Sequence, residues 1–359
     1  MLEETYQDAL IRLDHGYVFD HIDRPRDIWT EFNIVIGCVC NCSFCPQTLF
    51  VKRYYTLFGP KAPRLLSYKD FCIILKKLPK GSTVVFAGNS EPFMNPECTE
   101  MILEADRTNH PVTICTTFTG LTPQNLSKIL QAFTAHYDRL TFNIHIPSEE
   151  KIEHIRVNDN YLKTLDCLLE SHLPIDFHYH GSHPDPIVAQ RIRKAGYPIS
   201  VLQLISRANN ILGPNITPAY FKWGKLTCHD ITLKRRLVQP NGSVFLCSME
   251  FGLRHYLGNL ITSSYSSIHR SKEYKKILKG LNDASVKTLC RTCQWANTGN
   301  DAISEIHNTH SRARKISLGV KMYLYDHAKP LYNSTRFVYH KALGIPNNND
   351  PESFFKQAE

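Results

Sequence analysis

Cysteine is the residue with which this sequence can do most chemistry. Twelve occur in 359 residues, and eight of them fall into two groups. The first is the run Gly37-Cys38-Val39-Cys40-Asn41-Cys42-Ser43-Phe44-Cys45-Pro46, in which Cys38, Cys42 and Cys45 have the spacing C-x3-C-x2-C. Thiolates are soft donors suited to iron–sulfur clusters and to zinc. Three of them leave one metal position open to another ligand. With Cys40 included the run could instead close a zinc site, but zinc sites usually pair two well-separated C-x2-C units, and only one such unit stands here. Cys40 is therefore expected to be a spectator whose side chain turns away. The second group is Cys228, Cys247, Cys290 and Cys293, a set of four that closes either one cluster or a zinc ribbon. Cys72, Cys98, Cys115 and Cys167 fall within expected helices and strands and read as small buried hydrophobes.

The elements that must position these thiols alternate. Phe32–Ile36 reads as a buried strand. Ser67–Leu78 reads as a helix, with Ser67 and Asp70 resembling a capping box and Phe71, Ile74, Leu75 and Leu78 on one face. Strands are expected over Thr83–Ala87, Val112–Thr116, Leu140–Ile146, Pro174–His180 and Ile199–Ile205. Helices are expected from Pro96 behind Asn95, from Thr122-Pro123, over Asn160–Ser171, and from Asp185-Pro186 to Gly196. Six strand–helix units argue for a parallel α/β fold. They are too few for an eight-unit barrel, so a partial (β/α)6 TIM-like barrel is expected, with its site at the C-terminal strand ends. Beyond about residue 225 the pattern breaks into short strands and turns, including a hairpin from Val238 to Cys247. The last 60 or so residues read as helix and polar tail.

Composition narrows the class. The formal net charge is +9, but the Lys and Arg residues are dispersed, as on a surface that keeps a protein soluble. A nucleic-acid interface would interleave basic and aromatic residues, and none is expected. The N-terminus has no apolar run of the secretory kind. No stretch of about 18 apolar residues suggests a membrane span. A cytoplasmic protein is expected, where clustered cysteines are more often metal ligands than disulfides.

The first cysteine run, on the loop after the first strand and with Phe44 before its last cysteine, resembles that of the radical S-adenosylmethionine (SAM) superfamily. The resemblance implies that Cys38, Cys42 and Cys45 hold a four-iron, four-sulfur cluster. It implies further that SAM chelates the open iron and that an electron from the cluster cleaves its sulfonium to give a 5′-deoxyadenosyl radical. Gly88-Asn89-Ser90-Glu91-Pro92, at the end of the second strand, resembles the family's G-x-G-E-P or G-G-E-P motif with Ser90 for a glycine, and implies that this loop meets the SAM amino group. Thr116-Thr117-Phe118-Thr119-Gly120 is similar to the family's T-N-G segment without its asparagine. Thr117, Asn143 and His145 are thereby implied near SAM. Arg207, in Ser206-Arg207-Ala208-Asn209 after the sixth strand, is implied at the barrel mouth, as a base or anchor for substrate.

Downstream, Cys228, Gly242-x4-Cys247, Leu257-Gly258-Asn259-Leu260 and Cys290-x2-Cys293 resemble the SPASM/twitch extensions, which implies a second, fully ligated four-iron cluster in a small cysteine-rich domain. The organisation expected is an N-terminal extension (1–31), a radical SAM core (32–222), a twitch domain (223–300) and a helical extension (301–359). A closed cluster suits electron transfer, so the resemblance implies hydrogen abstraction with net oxidation. Only about 30 residues precede the first strand, too few for the leader-binding domain of many peptide-modifying members. A small sugar-like or nucleotide-linked substrate is therefore expected, with reduced flavodoxin or ferredoxin as donor. A peptide maturase is the alternative within the family. Outside this activity stand a zinc-stabilised binding protein and an inactive scaffold.

Overall fold

Strands covered on both faces need short, wholly apolar runs, and the segments between the helices supply them. A computed structural model describes residues 28–298 apart from 172, 174, 214 and 229–234. The extension before residue 28 and the expected helical extension, 301–359, lie outside the described residues. The first six strands are Trp29–Phe32 (β1), Thr83–Phe86 (β2), Val112–Thr116 (β3), Leu140–His145 (β4), Ile175–Tyr179 (β5) and Ile199–Val201 (β6). All pair in parallel and in sequence order, as a partial barrel requires. Between them run Gln47–Phe58 (α1), Tyr68–Leu75 (α2), Cys98–Arg107 (α3), Pro123–Ala132 (α4), Asp159–Glu170 (α5) and Pro186–Lys194 (α6). Ser67, Thr122, Asn158 and Asp185 cap their helices by accepting from Asp70, Asn125, Tyr161 and Val188 N–H groups, which is how such residues start helices.

The first strand lies three residues earlier than its apolar run suggests. Ile34 and Ile36 have another partner, since Leu66 N donates to Ile34 O (3.1 Å) and Ile36 N donates to Arg64 O (2.8 Å). The sixth strand is likewise short, because Ile205 leaves the ladder to bridge Thr217.

The C-terminal region extends the same sheet. Arg235–Val238 (β8) lies parallel to β1, Trp29 opposite Arg235. Ser243–Phe245 (β9) and Tyr256–Asn259 (β10) follow antiparallel, giving the order β10-β9-β8-β1-β2-β3-β4-β5-β6. The expected hairpin is therefore present and is joined to the outer edge of β1. A separate two-stranded sheet pairs Leu226–Cys228 (β7) with Ala296–Thr298 (β11). Tyr265–Arg270 (α7) and Lys272–Asn282 (α8) follow β10. On one face of the sheet Phe32, Phe71 and Phe86 pack at ring distances of 5.0–6.4 Å. On and just past β1 the residues flanking Phe32, Glu31 and Asn33, are polar and buried.

Candidate active site

The loop leaving β1 carries Cys38, Cys42 and Cys45 at the C-terminal ends of the strands, where parallel α/β folds place their ligands. Its supports come from later in the chain. Ser43 N donates to Ile152 O (3.0 Å), Cys42 Sγ to Glu153 O (3.2 Å), and the Gln47 amide to Asn89 O. All three thiols are half-buried. Burial pushes the Cys42 and Cys45 thiols up, and a hydrogen bond to Cys40 followed by burial does so at Cys38. A metal that claims them displaces their protons. Among the described residues no three His, Cys, Asp or Glu side chains converge on a site for one ion; a cluster that spreads its thiolates over separate irons does not require it. Cys40 is not turned away as expected. It is buried and within hydrogen-bonding reach of the Cys38 thiol, with its sulfur 3.5 Å from Thr117 Oγ1 and 3.4 Å from Thr119 Oγ1.

The loops after β2 and β3 interlock beneath this run. Gly88 has φ +88°, and a Cβ there would lie 2.6 Å from that of Asn33. Only glycine allows this approach. Asn33 answers it, its Oδ1 accepting from Asn89 N (3.2 Å) while its amide donates to Gln239 (2.8 Å). Ser90, in the glycine's place, sets its hydroxyl 2.7 Å from Asn33 Oδ1 and 2.6 Å from Val35 O. The substitution therefore ties the loop to the end of β1. Glu91 is buried and accepts from Thr116 Oγ1 (2.6 Å), Thr117 N (2.7 Å) and Thr117 Oγ1 (2.8 Å). Burial pushes its pKa up to about 7 against these donors. Its side chain braces β2 to β3.

Asn143 and His145 alternate along β4 with the buried Phe142 and Ile144, so both stand on the polar face. Cys115 of β3 bonds to Asn143. The His145 ring lies 4.1 Å from that of His178 and 5.2 Å from that of His180, which in turn packs 4.2 Å from Phe44. Burial, then His178, His180 and Arg207, hold His145 neutral far below its ordinary range. His180 Nδ1 faces Leu202 O at 2.9 Å. A carbonyl only accepts, so this nitrogen carries the proton. Glu153 fixes the same corner, accepting from Ser148 N and Oγ and from His180 N (3.0, 2.6 and 2.9 Å).

Arg207 joins this group. Burial draws its pKa down, while Cys45, Glu31 and Cys42 draw it up, so its guanidinium stands in the field of two of the three thiols. Its Cζ lies 5.6 Å over the Phe251 ring. Glu31 is buried on β1 and paired with Arg235 at 3.2 Å.

The other four cysteines meet elsewhere. Cys228, Cys247, Cys290 and Cys293 line one cavity with Leu246, Met249, Leu289 and Ala296. Pairing of β7 with β11 sets Cys228 opposite Ala296, three residues past Cys293. The hairpin of β8 and β9 ends just before Cys247. Burial and mutual proximity raise the Cys247 and Cys290 thiols far above their usual range. Four thiols around an apolar void make a donor set that fits a closed iron–sulfur cluster.

Sequence reading did not single out Glu31, Cys115, Glu153, His178 or His180. One signal could have found several of them. Glu31, Asn143, His145, Asp176 and His178 put polar groups at alternate positions in strands of a kind that is usually apolar throughout.

A family model described as the radical SAM superfamily matches residues 32–183, and one described as an iron–sulfur cluster-binding domain, SPASM, matches residues 228–294. Among curated proteins no sequence matches this chain. Similar solved structures include BtrN in complex with AdoMet and 2-DOIA, 15% identical over 76% of this chain and 93% of that chain, with TM-score 0.46. Native anSMEcpe with bound AdoMet is 12% identical over 74% of this chain and 86% of that chain, with TM-score 0.44. Streptococcus suis SuiB bound to precursor peptide SuiA is 12% identical over 74% of this chain and 69% of that chain, with TM-score 0.48. The two family matches imply a SAM-binding iron–sulfur cluster, auxiliary iron–sulfur ligation and SAM itself. The chain belongs to the radical SAM superfamily and carries a C-terminal iron–sulfur domain of the SPASM type.

Proposed function

We propose that the chain cleaves SAM reductively and uses the radical to take hydrogen from a small, sugar-like or nucleotide-linked substrate, with net oxidation. The observation that supports this reading is Arg207, whose guanidinium lies 5.6 Å over Phe251 of the second cysteine region and whose pKa Cys45 and Cys42 of the first draw up. Cys38, Cys42 and Cys45 would hold a cluster able to supply the electron that splits the sulfonium, and Cys228, Cys247, Cys290 and Cys293 one able to accept an electron from the substrate.

The chain's own residues do the rest. The loop Gly88–Glu91 offers backbone groups at the end of β2, held open by Gly88 and fixed by Ser90 and Glu91. Thr117, Asn143 and His145 line the polar face on which the rest of SAM rests. Neutral His145 and His180 present acceptors without adding positive charge beside a sulfonium. Arg207 anchors an electron-rich group of the substrate, a hydroxyl or phosphate, near the reacting carbon. We assign residues 32–222 to the core and 223–300 to the second cysteine domain. We assign the chain to the cytoplasm, with a flavodoxin or ferredoxin donor, on its clustered cysteines, which in a reducing compartment serve more often as metal ligands than as disulfides.

Anaerobic protein should be brown, with about eight irons per chain for two cubane clusters. With dithionite and SAM it should release 5′-deoxyadenosine, and replacing Cys38, Cys42 and Cys45 together by alanine should abolish that release. Colourless protein with stoichiometric zinc would overturn the proposal. Arg207→Ala should keep both clusters and lose substrate turnover.

A further inference from the structure

The turn that presents Arg207 is unusual in its backbone. Arg207, Ala208 and Asn209 have φ of 48°, 57° and 59° in succession. L residues enter this left-handed region reluctantly and normally one at a time. Three in a row persist only where neighbours over-determine them.

Those neighbours come from two places. Within its own segment the turn is closed by Ser206 Oγ, which accepts from Asn209 N (3.1 Å), and by Asn209, whose amide donates to Ala219 O (2.7 Å) while its Oδ1 accepts from Ala219 N (3.0 Å). The remaining bonds cross to the second cysteine site. Gln294 follows Cys293 directly. Its Oε1 accepts from Ala208 N (3.2 Å), and its Nε2 donates to Ser206 Oγ (2.5 Å) and to Thr217 O (3.0 Å). Asn210 donates to Arg207 O (2.6 Å) and to Met249 O (2.9 Å), two residues past Cys247. Both crossings therefore leave from chain that is fixed when the four cysteines are gathered around their cavity.

We propose that Gln294 is a positioning residue, clamping the left-handed Arg207–Asn209 turn so that assembly of the second cysteine site sets where the Arg207 guanidinium stands over the first. This rests on the reading that Arg207 works at the site. It adds a second duty for the second cysteine domain: besides taking electrons, it holds a side chain of the first site in place. A chain whose second site is not assembled would then present Arg207 poorly.

The test is a cycle of variants read by the reduction potential of the cluster at Cys38, Cys42 and Cys45, with SAM present. A guanidinium nearby stabilises the more negative, reduced state. Arg207→Ala should therefore shift the potential to a more negative value. Gln294→Met, which keeps the length and loses both polar atoms, should reproduce most of that shift. The double variant should go no further than Arg207→Ala alone, because the two substitutions act through one group. Gln294→Glu keeps the acceptor for Ala208 N but loses the two donated bonds and adds a negative charge, so it is read by amide exchange and not by the potential. Amide exchange of a peptide spanning residues 206–211 should rise in Gln294→Met and stay low in Gln294→Glu. If Gln294→Met fails to fold its second site, Ser206→Ala removes one of the three Gln294 bonds, together with the bond that closes the turn onto Asn209 N, without touching the cysteine turn, and a shift in the same direction is expected. Additive shifts in the double variant, or an unmoved potential in Gln294→Met and Ser206→Ala, would overturn the clamp. An unmoved potential and turnover in Arg207→Ala would instead refute the reading of Arg207.

Discussion

Arg291 should be the side chain most costly to lose in the second cysteine domain. It stands between Cys290 and Cys293 and is 1% exposed, an unusual burial for a permanent cation. Its Nε donates to Gly280 O (2.9 Å), and its Nη1 to Lys222 O (2.9 Å) and Gly224 O (2.5 Å). Gly280 lies in the last turns of α8, where the carbonyl end of the helix dipole welcomes a cation. The guanidinium thus ties α8, the segment before β7 and the Cys290–Cys293 turn to one point. Arg291→Met keeps apolar volume and removes three charge-assisted bonds, each worth about 1.5–3 kcal/mol. Part of that gross loss is returned, since a buried ion no longer has to leave water. Buried carbonyls left without a donor cost about 1–3 kcal/mol each, which for three of them is a large fraction of the roughly 5–15 kcal/mol that holds a domain folded. Urea unfolding under anaerobic conditions reads this as a lower midpoint. Metal content should fall at the second site and stay at the first. Arg291→Lys, with one compact donor group in place of the planar fork, should lie between. A Met variant within about 1 kcal/mol of wild type, with both metal sites loaded, would refute the claim that Arg291 is the tie.

Three further outcomes follow from single contacts. A Cβ at Gly120 would stand 2.4 Å from Phe93 O at φ +86°, whereas at Gly59, φ +84°, it meets nothing within 4 Å. Gly59, with ψ 162°, sits where essentially only glycine is found, so Gly59→Ala should cost only that backbone penalty of about 1–3 kcal/mol, and Gly120→Ala clearly more, with weaker SAM binding by calorimetry; equal costs would show that the loops after β2 and β3 are not in contact. His255 Nε2 accepts from Leu289 N (3.0 Å), so Nδ1 carries the proton given to Glu273 (2.7 Å). His255→Phe should cost about 1–3 kcal/mol by stranding a buried N–H next to Cys290, measured by urea unfolding; a cost below 0.5 kcal/mol, within the roughly ±0.5 kcal/mol of neutral surface changes, would sink it. Burial, then Arg236, holds the pKa of His269 well below its ordinary value. The unfolded chain therefore binds a proton there that the folded chain refuses, so stability is present above the ordinary pKa of about 6.5 and is lost as pH falls below it. His269→Phe should flatten that acid loss between about pH 6.5 and 5, and an unchanged slope would show that His269 does not cause it.

What the sequence made legible, and what it hid, follows from how local each feature is. Ser67, Thr122 and Asp185 start helices through bonds reaching three residues along the chain, and such short-range chemistry is written in adjacent letters. The cysteine spacings are equally local. The β1 boundary was not, because Ile34 and Ile36 look like strand residues and do pair, but with Arg64–Leu66 instead of β2 or β8. Nor was the attachment of the C-terminal hairpin to β1, a register set between residues about 200 apart. The Arg207 turn is the extreme case. Nothing in Arg207-Ala208-Asn209 signals a left-handed backbone, since no glycine is present to permit it. The permission comes from Gln294, more than 80 residues later, and from the carbonyl of Met249 through Asn210. A conformation that local propensity opposes has to be held by distant bonds, and those bonds are the part of a site that spacing cannot reveal. It is also why a domain recognised by its four thiols can govern the geometry of a site recognised by three others.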